Sequence, residues 1–121
     1  MIGMAEQRFS IEVDEIGEAT VVTVQGEIDL ATSPRLSAQS LDLPERGRTR
    51  LVLHASGVSF IDATGIRAFI ESRNAILKNG SSFNVVPSRQ IRRLFDLVDL
   101  HEMFPGFPST VDALDHLESN A

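Results

Sequence analysis

The sequence predicts an α/β domain. Its hydrophobic period switches repeatedly between about 2 and 3.6 residues, the periods of strand and helix. Short, uniformly apolar runs lie between amphipathic stretches, as central strands do between crossover helices. The length of 121 residues suits one hydrophobic core, since compact domains most often run to about 100–150 residues. One domain is expected over residues 5–118, with residues 1–4 and 119–121 as short termini.

Phe9, Ile11 and Val13 alternate with Ser10 and Glu12, the pattern of a half-buried strand. Gly17 lies in a polar turn from Asp14 to Glu18, and Thr20 to Gln25 is rich in β-branched residues, so the two segments read as a hairpin. Ser33 and Pro34 suit an N-cap and first helical residue for a helix to about Leu41, although its apolar stripe is weak. Leu51, Val52 and Leu53 read as a central strand covered on both faces, ended by His54. Phe83 to Val86 is similar and stops at Pro87.

From Thr64 to Lys78, Ile66, Phe69, Ile70 and Leu77 share one helix face, opposite Arg67, Glu71, Asn74 and Lys78. Asn79 and Gly80 suit the end of that helix. Ile91, Leu94, Phe95 and Val98 mark the next helix, with Ser88 as N-cap and Arg89 and Arg93 directed to solvent. Thr110 is placed to cap a last helix to Leu117, with Val111, Leu114 and Leu117 buried. The segment Phe104 to Pro108 is irregular and has room for a short strand. After the hairpin, strands and helices alternate, which implies right-handed parallel crossovers.

Composition excludes several classes of function. Hydrophobic residues make up 42% and charged residues 23%, close to the globular average, so wholesale disorder is excluded. With no Cys, there are no disulfides, thiol nucleophiles or thiolate metal sites. No apolar run approaches the roughly 18 residues that span a bilayer. The start MIGMAEQRF has neither a basic nor an apolar leader region, so a cytoplasmic location is expected. The net charge of -6 disfavours nucleic acid and anionic membranes as partners.

The charge is unevenly distributed: residues 1–45 hold nine acids and two bases, residues 46–95 two acids and nine bases, and residues 96–121 six acids and no base. Arg46, Arg48, Arg50, Arg89, Arg92 and Arg93 are either solvated faces that the fold intermixes or a basic docking patch.

Catalytic constellations are lacking. His54, His101 and His116 have no second ligand at i+3 or i+4, so no metal is expected. There is no GxxxxGK[ST], no GxGxxG opening a helix and no GxSxG. Without Trp or Tyr, base-stacking platforms are poorly supplied. The composition points to a binding module, not an enzyme, with no cofactor. His54 reads as a satisfied structural histidine or as a pH sensor.

Three segments carry a family resemblance: GEIDLAT (Gly26 to Thr32), LVLHASGVSFIDATGIRAF (Leu51 to Phe69) and IRRLFDLVDL (Ile91 to Leu100). In order and spacing they resemble the STAS family, whose best-known members are bacterial anti-sigma factor antagonists. The resemblance implies a mixed sheet of four or five strands with helices mainly on one side. It also implies a partner-binding site at the helix start near Asp62 to Gly65, formed by Glu27, Asp29, Ser59, Asp62, Ala63, Thr64, Gly65 and Arg67. The partner it implies is an anti-sigma factor with a GHKL-type ATPase fold, which typically phosphorylates a Ser following the Asp and so ends the complex.

Here that Ser position is Ala63, which has no hydroxyl to phosphorylate. Three readings follow: a permanently unmodified antagonist, Thr64 as a substitute acceptor, or control through a partner or through synthesis. His54 is a second departure, standing where the family usually has Asp or Asn. Glu27 and Asp29 are either partner contacts or caps for the helix at Thr32 to Pro34. The rival functions are a STAS subunit docking on an ABC transporter ATPase or other signalling assembly, and a nucleotide-binding domain.

Overall fold

A computed structural model describes residues 9–78, 82–100, 104 and 106–119. Four strands and four helices follow one another as β1 (Ser10–Ile16), β2 (Ala19–Ile28), α1 (Ser33–Glu45), β3 (Arg50–Ile61), α2 (Ala63–Lys78), β4 (Ser82–Pro87), α3 (Arg89–Val98) and α4 (Thr110–Ser119). The sheet order is β1-β2-β3-β4. β1 and β2 form an antiparallel hairpin, while β2–β3 and β3–β4 are parallel. This is the mixed α/β sheet expected, with four strands. The Phe104 to Pro108 segment adds a single parallel bridge, from Gly106 to Val85.

The two faces of β3 explain the layering. Leu51, Leu53 and Ala55 point into the main core with Leu36 and Leu43 of α1, Phe69 and Ile76 of α2, and Ile91 and Phe95 of α3. Val52 points the other way, into a smaller cluster with Val21, Val86, and Ala113 and Leu117 of α4. Three helices thus cover one face and α4 covers part of the other. Ser72, whose hydroxyl has no hydrogen-bond partner among the described residues, is the buried polar exception on α2.

Several elements differ from their sequence patterns. β3 does not end at His54 but runs on to Ile61, and its ladder with β2 continues across two register shifts. His54 therefore lies mid-strand, half-buried, with Nε2 2.6 Å from Ser56 Oγ. On α2 the buried positions are Gly65, Ala68, Phe69, Ser72 and Ile76, whereas Leu77 is 39% exposed and Ile66 and Ile70 are only partly covered. α2 packs beside α1. Ser88 caps α3 as expected, accepting from Ile91 N–H, and Arg89 and Arg93 are exposed. α4 is capped by Ser109 rather than Thr110, because Ser109 Oγ accepts from Asp112 N–H at 3.2 Å. Val111 is 66% exposed and Ala113 takes its place in the core. The proposed helix end at Asn79 and Gly80 lies outside the described residues, as does His101.

The six arginines do not form one patch. Arg48 donates to Thr20 Oγ1 (2.6 Å) and Ala19 O (2.9 Å), and Arg50 donates to Leu117 O (3.0 Å). Arg46 pairs with Asp42 at 3.2 Å. These three lie at or just before the start of β3, whereas Arg89, Arg92 and Arg93 belong to the helix that follows the end of β4, at the opposite end of that strand.

Phe104 ties the core together: it is 1% exposed and its ring stacks on Phe95 (5.1 Å between centroids) and meets Phe69 (6.0 Å) and Phe83 (6.3 Å). Truncating a fully buried aromatic costs about 3–5 kcal/mol. Phe104→Ala is accordingly expected to lower unfolding free energy by at least about 3 kcal/mol, measured by urea denaturation.

Candidate functional site

The carboxyl ends of β2 and β3 turn into loops side by side. Glu27 pairs with Phe60 and Ile28 with Ile61 across the parallel ladder. Asp62 N–H then donates to Ile28 O at 3.2 Å, which holds the two chains together one step beyond the last rung. β2 bends at this point: the register slips at Gly26/Glu27, and Gly26 has φ of +92°, a conformation that residues with a Cβ rarely adopt.

Asp62 opens α2 as an N-cap. Its Oδ1 accepts from Gly65 N–H at 3.0 Å and its backbone carbonyl accepts from Ile66 N–H at 3.0 Å. Gly65 is the contact that seats the helix. A Cβ there would lie 2.6 Å from Ile61 Cγ1, 2.8 Å from Ile28 Cγ2 and 2.8 Å from Ile28 O. Only glycine lets the first turn of α2 rest on the end of β2. With Gly65 pressed inward, Ala63, the first residue of the helix, faces solvent and Thr64 is half-buried. Arg67, one turn on from Ala63, is exposed.

Asp29 is used by its own loop. Its Oδ1 accepts from Ala31 N–H (3.0 Å) and Thr32 N–H (3.1 Å), and its carbonyl accepts from Ser33 N–H (2.8 Å). Thr32 Oγ1 accepts from Asp29 N–H (2.9 Å) and donates to Glu27 O (2.8 Å). This network is an entry cap for α1, the reading in which Asp29 serves the fold. Glu27 is half-buried on β2, and Ser59 is half-buried near the end of β3.

The expected residues therefore gather at one corner of the molecule, with Ala63 at its tip. Beside it lies an apolar groove of about 410 Å³ between α2 and α3, lined by Ile61, Asp62, Ala63, Ile66, Ile70, Leu94, Val98 and Leu100. The α3 side of the groove, Leu94, Val98 and Leu100, falls outside the residues expected from sequence. Val98 is 50% exposed, and its place in the helical stripe gave it the look of core. Two further large apolar residues are exposed near the corner, Phe60 at 48% and Leu30 at 75%. Among the described residues Asp62 is the one charged residue lining the groove, and its other lining residues are aliphatic.

Comparison with known proteins agrees with this architecture. The STAS domain family matches residues 10–113. The chain belongs to the STAS domain family. It is 29% identical over 83 residues to the anti-sigma-B factor antagonist of Staphylococcus epidermidis, an alignment covering 68% of this chain and 77% of that protein. The anti-sigma-B factor antagonist of Bacillus subtilis is 28% identical over 96 residues, covering 78% and 87%. The crystal structure of an anti-sigma factor antagonist from Mycobacterium paratuberculosis superposes with a TM-score of 0.84 at 27% identity, covering 93% of this chain and 96% of that one. The STAS fold expected from the three segments is thus present. Among the described residues no helix is long and apolar enough to cross a membrane.

The seating of α2 yields a paired expectation. Gly65→Ala should destabilise the protein by about 1–3 kcal/mol, because the added methyl meets backbone and two packed isoleucines. Gly57→Ala, whose added methyl meets only the flexible Gln25 side chain at 3.0 Å, should cost less than about 1 kcal/mol. Thermal and urea unfolding of the two variants check both.

Proposed function

We propose that this chain is an anti-sigma factor antagonist: a binding module, not an enzyme, that engages an anti-sigma factor at the Ala63 corner and so frees a sigma factor. The observation that carries the proposal is an exposed methyl group, Ala63, at the first position of α2 and on the lip of the apolar groove. The names of the relatives give the direction, since they are themselves anti-sigma factor antagonists. The STAS resemblance gives the partner a GHKL-type ATPase fold, and the place of action is the cytoplasm.

The same corner makes a phosphate-free antagonist. A phosphoryl group at the first turn of a helix adds about -1.5 to -2 charges, which the helix N-terminus tolerates but a close-packed apolar interface does not. With Ala63 at this position the charge cannot be added there, and the binding surface stays apolar. Thr64, the remaining hydroxyl in the first turn, is half-buried and rotated by about 100° from Ala63, so it does not reproduce an exposed acceptor. Control of the complex then rests with the partner or with synthesis of this chain.

Incubation with the cognate anti-sigma kinase and ATP, followed by mass spectrometric mapping, is expected to leave Thr64 unmodified. Stoichiometric phosphate on Thr64 would refute the permanently unmodified antagonist. Ala63→Glu is expected to abolish binding of the purified anti-sigma factor while moving Tm by no more than a few degrees, as an exposed helix-start residue should. Unchanged affinity in that variant would remove Ala63 from the interface.

A further inference from the structure

We propose that Leu30 and Phe60 are the apolar anchors of the partner interface and that they receive aliphatic side chains flanked by a Lys or Arg on the anti-sigma factor. This rests on the antagonist reading above and extends its footprint beyond the helix start. The register of the sheet supplies the placement. Ile28 and Ile61 share the last rung, so Leu30 and Ala63 each lie two residues beyond it, while Phe60 lies one residue before it, opposite Glu27. The bond from Asp62 N–H to Ile28 O keeps the two segments adjacent past the end of the ladder.

Neither large side chain is explained by the fold. Leu30 is 75% exposed in the tight loop built by Asp29 and Thr32, and Phe60 is 48% exposed on a strand whose neighbour Ile61 supplies the buried contact. Single exposed apolar residues are ordinary, but two of them on the adjoining ends of β2 and β3, the segments that lead into the Ala63 corner, form the kind of grouping that partners cover. A few fully desolvated side chains at the centre of an interface commonly carry most of its binding energy, and burying a large apolar side chain such as Leu or Phe contributes about 1.5–3 kcal/mol by transfer from water.

Charge selects the partner's chemistry. Glu27 lies across the ladder from Phe60, and among the described residues no ion pair or side-chain hydrogen bond engages its carboxylate. Asp29, by contrast, already has its carboxylate filled by loop N–H groups. An unpaired acid bordered by apolar anchors favours a cationic side chain on the facing surface and disfavours an acidic one. Leu30 and Phe60 therefore supply affinity, and Glu27 supplies choice of partner and a salt-sensitive share of the association rate.

The test uses the full chain and the purified anti-sigma factor in calorimetric and stopped-flow binding. Leu30→Ser and Phe60→Ser are each expected to raise Kd about tenfold or more with Tm unchanged, since both side chains are exposed in the free protein. Glu27→Gln is expected to flatten the dependence of the association rate on ionic strength. If Ala63→Glu abolishes binding while both serine variants stay within twofold of wild type, the anchors are refuted and the antagonist reading stands. Loss of affinity in the serine variants with an unaltered salt dependence in Glu27→Gln would refute the cationic partner site. If Ala63→Glu leaves binding unchanged, Ala63 leaves the interface and the anchors, placed around it, fail with it; if the wild-type chain does not bind the anti-sigma factor at all, the antagonist reading itself fails.

Discussion

The structure depends on the close approach of the first turn of α2 to the end of β2. Gly65 permits it, because any Cβ would overlap Ile28 O and the side chains of Ile28 and Ile61. Asp62 secures it twice, once through its N–H to Ile28 O and once through its carboxylate to Gly65 N–H. These contacts set the direction of α2, and α2 in turn buries Phe69 and Ile76 in the main core. The residue that must turn outward when Gly65 turns inward is Ala63. Scaffold and surface are thus two sides of one helix start.

The helix start also explains how the proposed binding surface coexists with a stable domain. Asp62 satisfies donors that any helix leaves unpaired at its beginning, so the corner contributes to stability whether or not a partner is present. Asp29 does the same for the neighbouring loop into α1. The side chains available to the proposed partner are ones that face solvent or are left unpaired by the described residues: Ala63, Leu30, Phe60, Val98 and the carboxylate of Glu27.

Much of this was legible in the sequence. The hairpin, the crossover order and the cap at Ser88 follow from alternation, helical spacing and residue type. The candidate site was read through GEIDLAT and the FIDATG turn, whose family resemblance pointed to Glu27 and Asp62 to Gly65, and the structure brings these residues to adjoining segments. The second half of β3 was hidden because Ser56 and Gly57 interrupt the apolar run and the register with β2 slips twice. The face of α2 was misjudged because periodicity weighs large apolar residues, whereas three of its five buried positions are the small residues Gly65, Ala68 and Ser72. Val111 and Val98 likewise fit a helical stripe yet lie largely in solvent, since the stripe records spacing and not what another element covers. Leu30 and Phe60 carried no signal at all, because exposure of an apolar residue is a property of tertiary structure.

The most direct measurement is amide hydrogen exchange of this chain with and without the purified anti-sigma factor, read by mass spectrometry. Protection on complex formation is expected in residues 27–32 and 60–67, with no change in α4 over residues 110–117. Protection confined to α4 and its face of the sheet, with the start of α2 exchanging as in the free protein, would contradict the account.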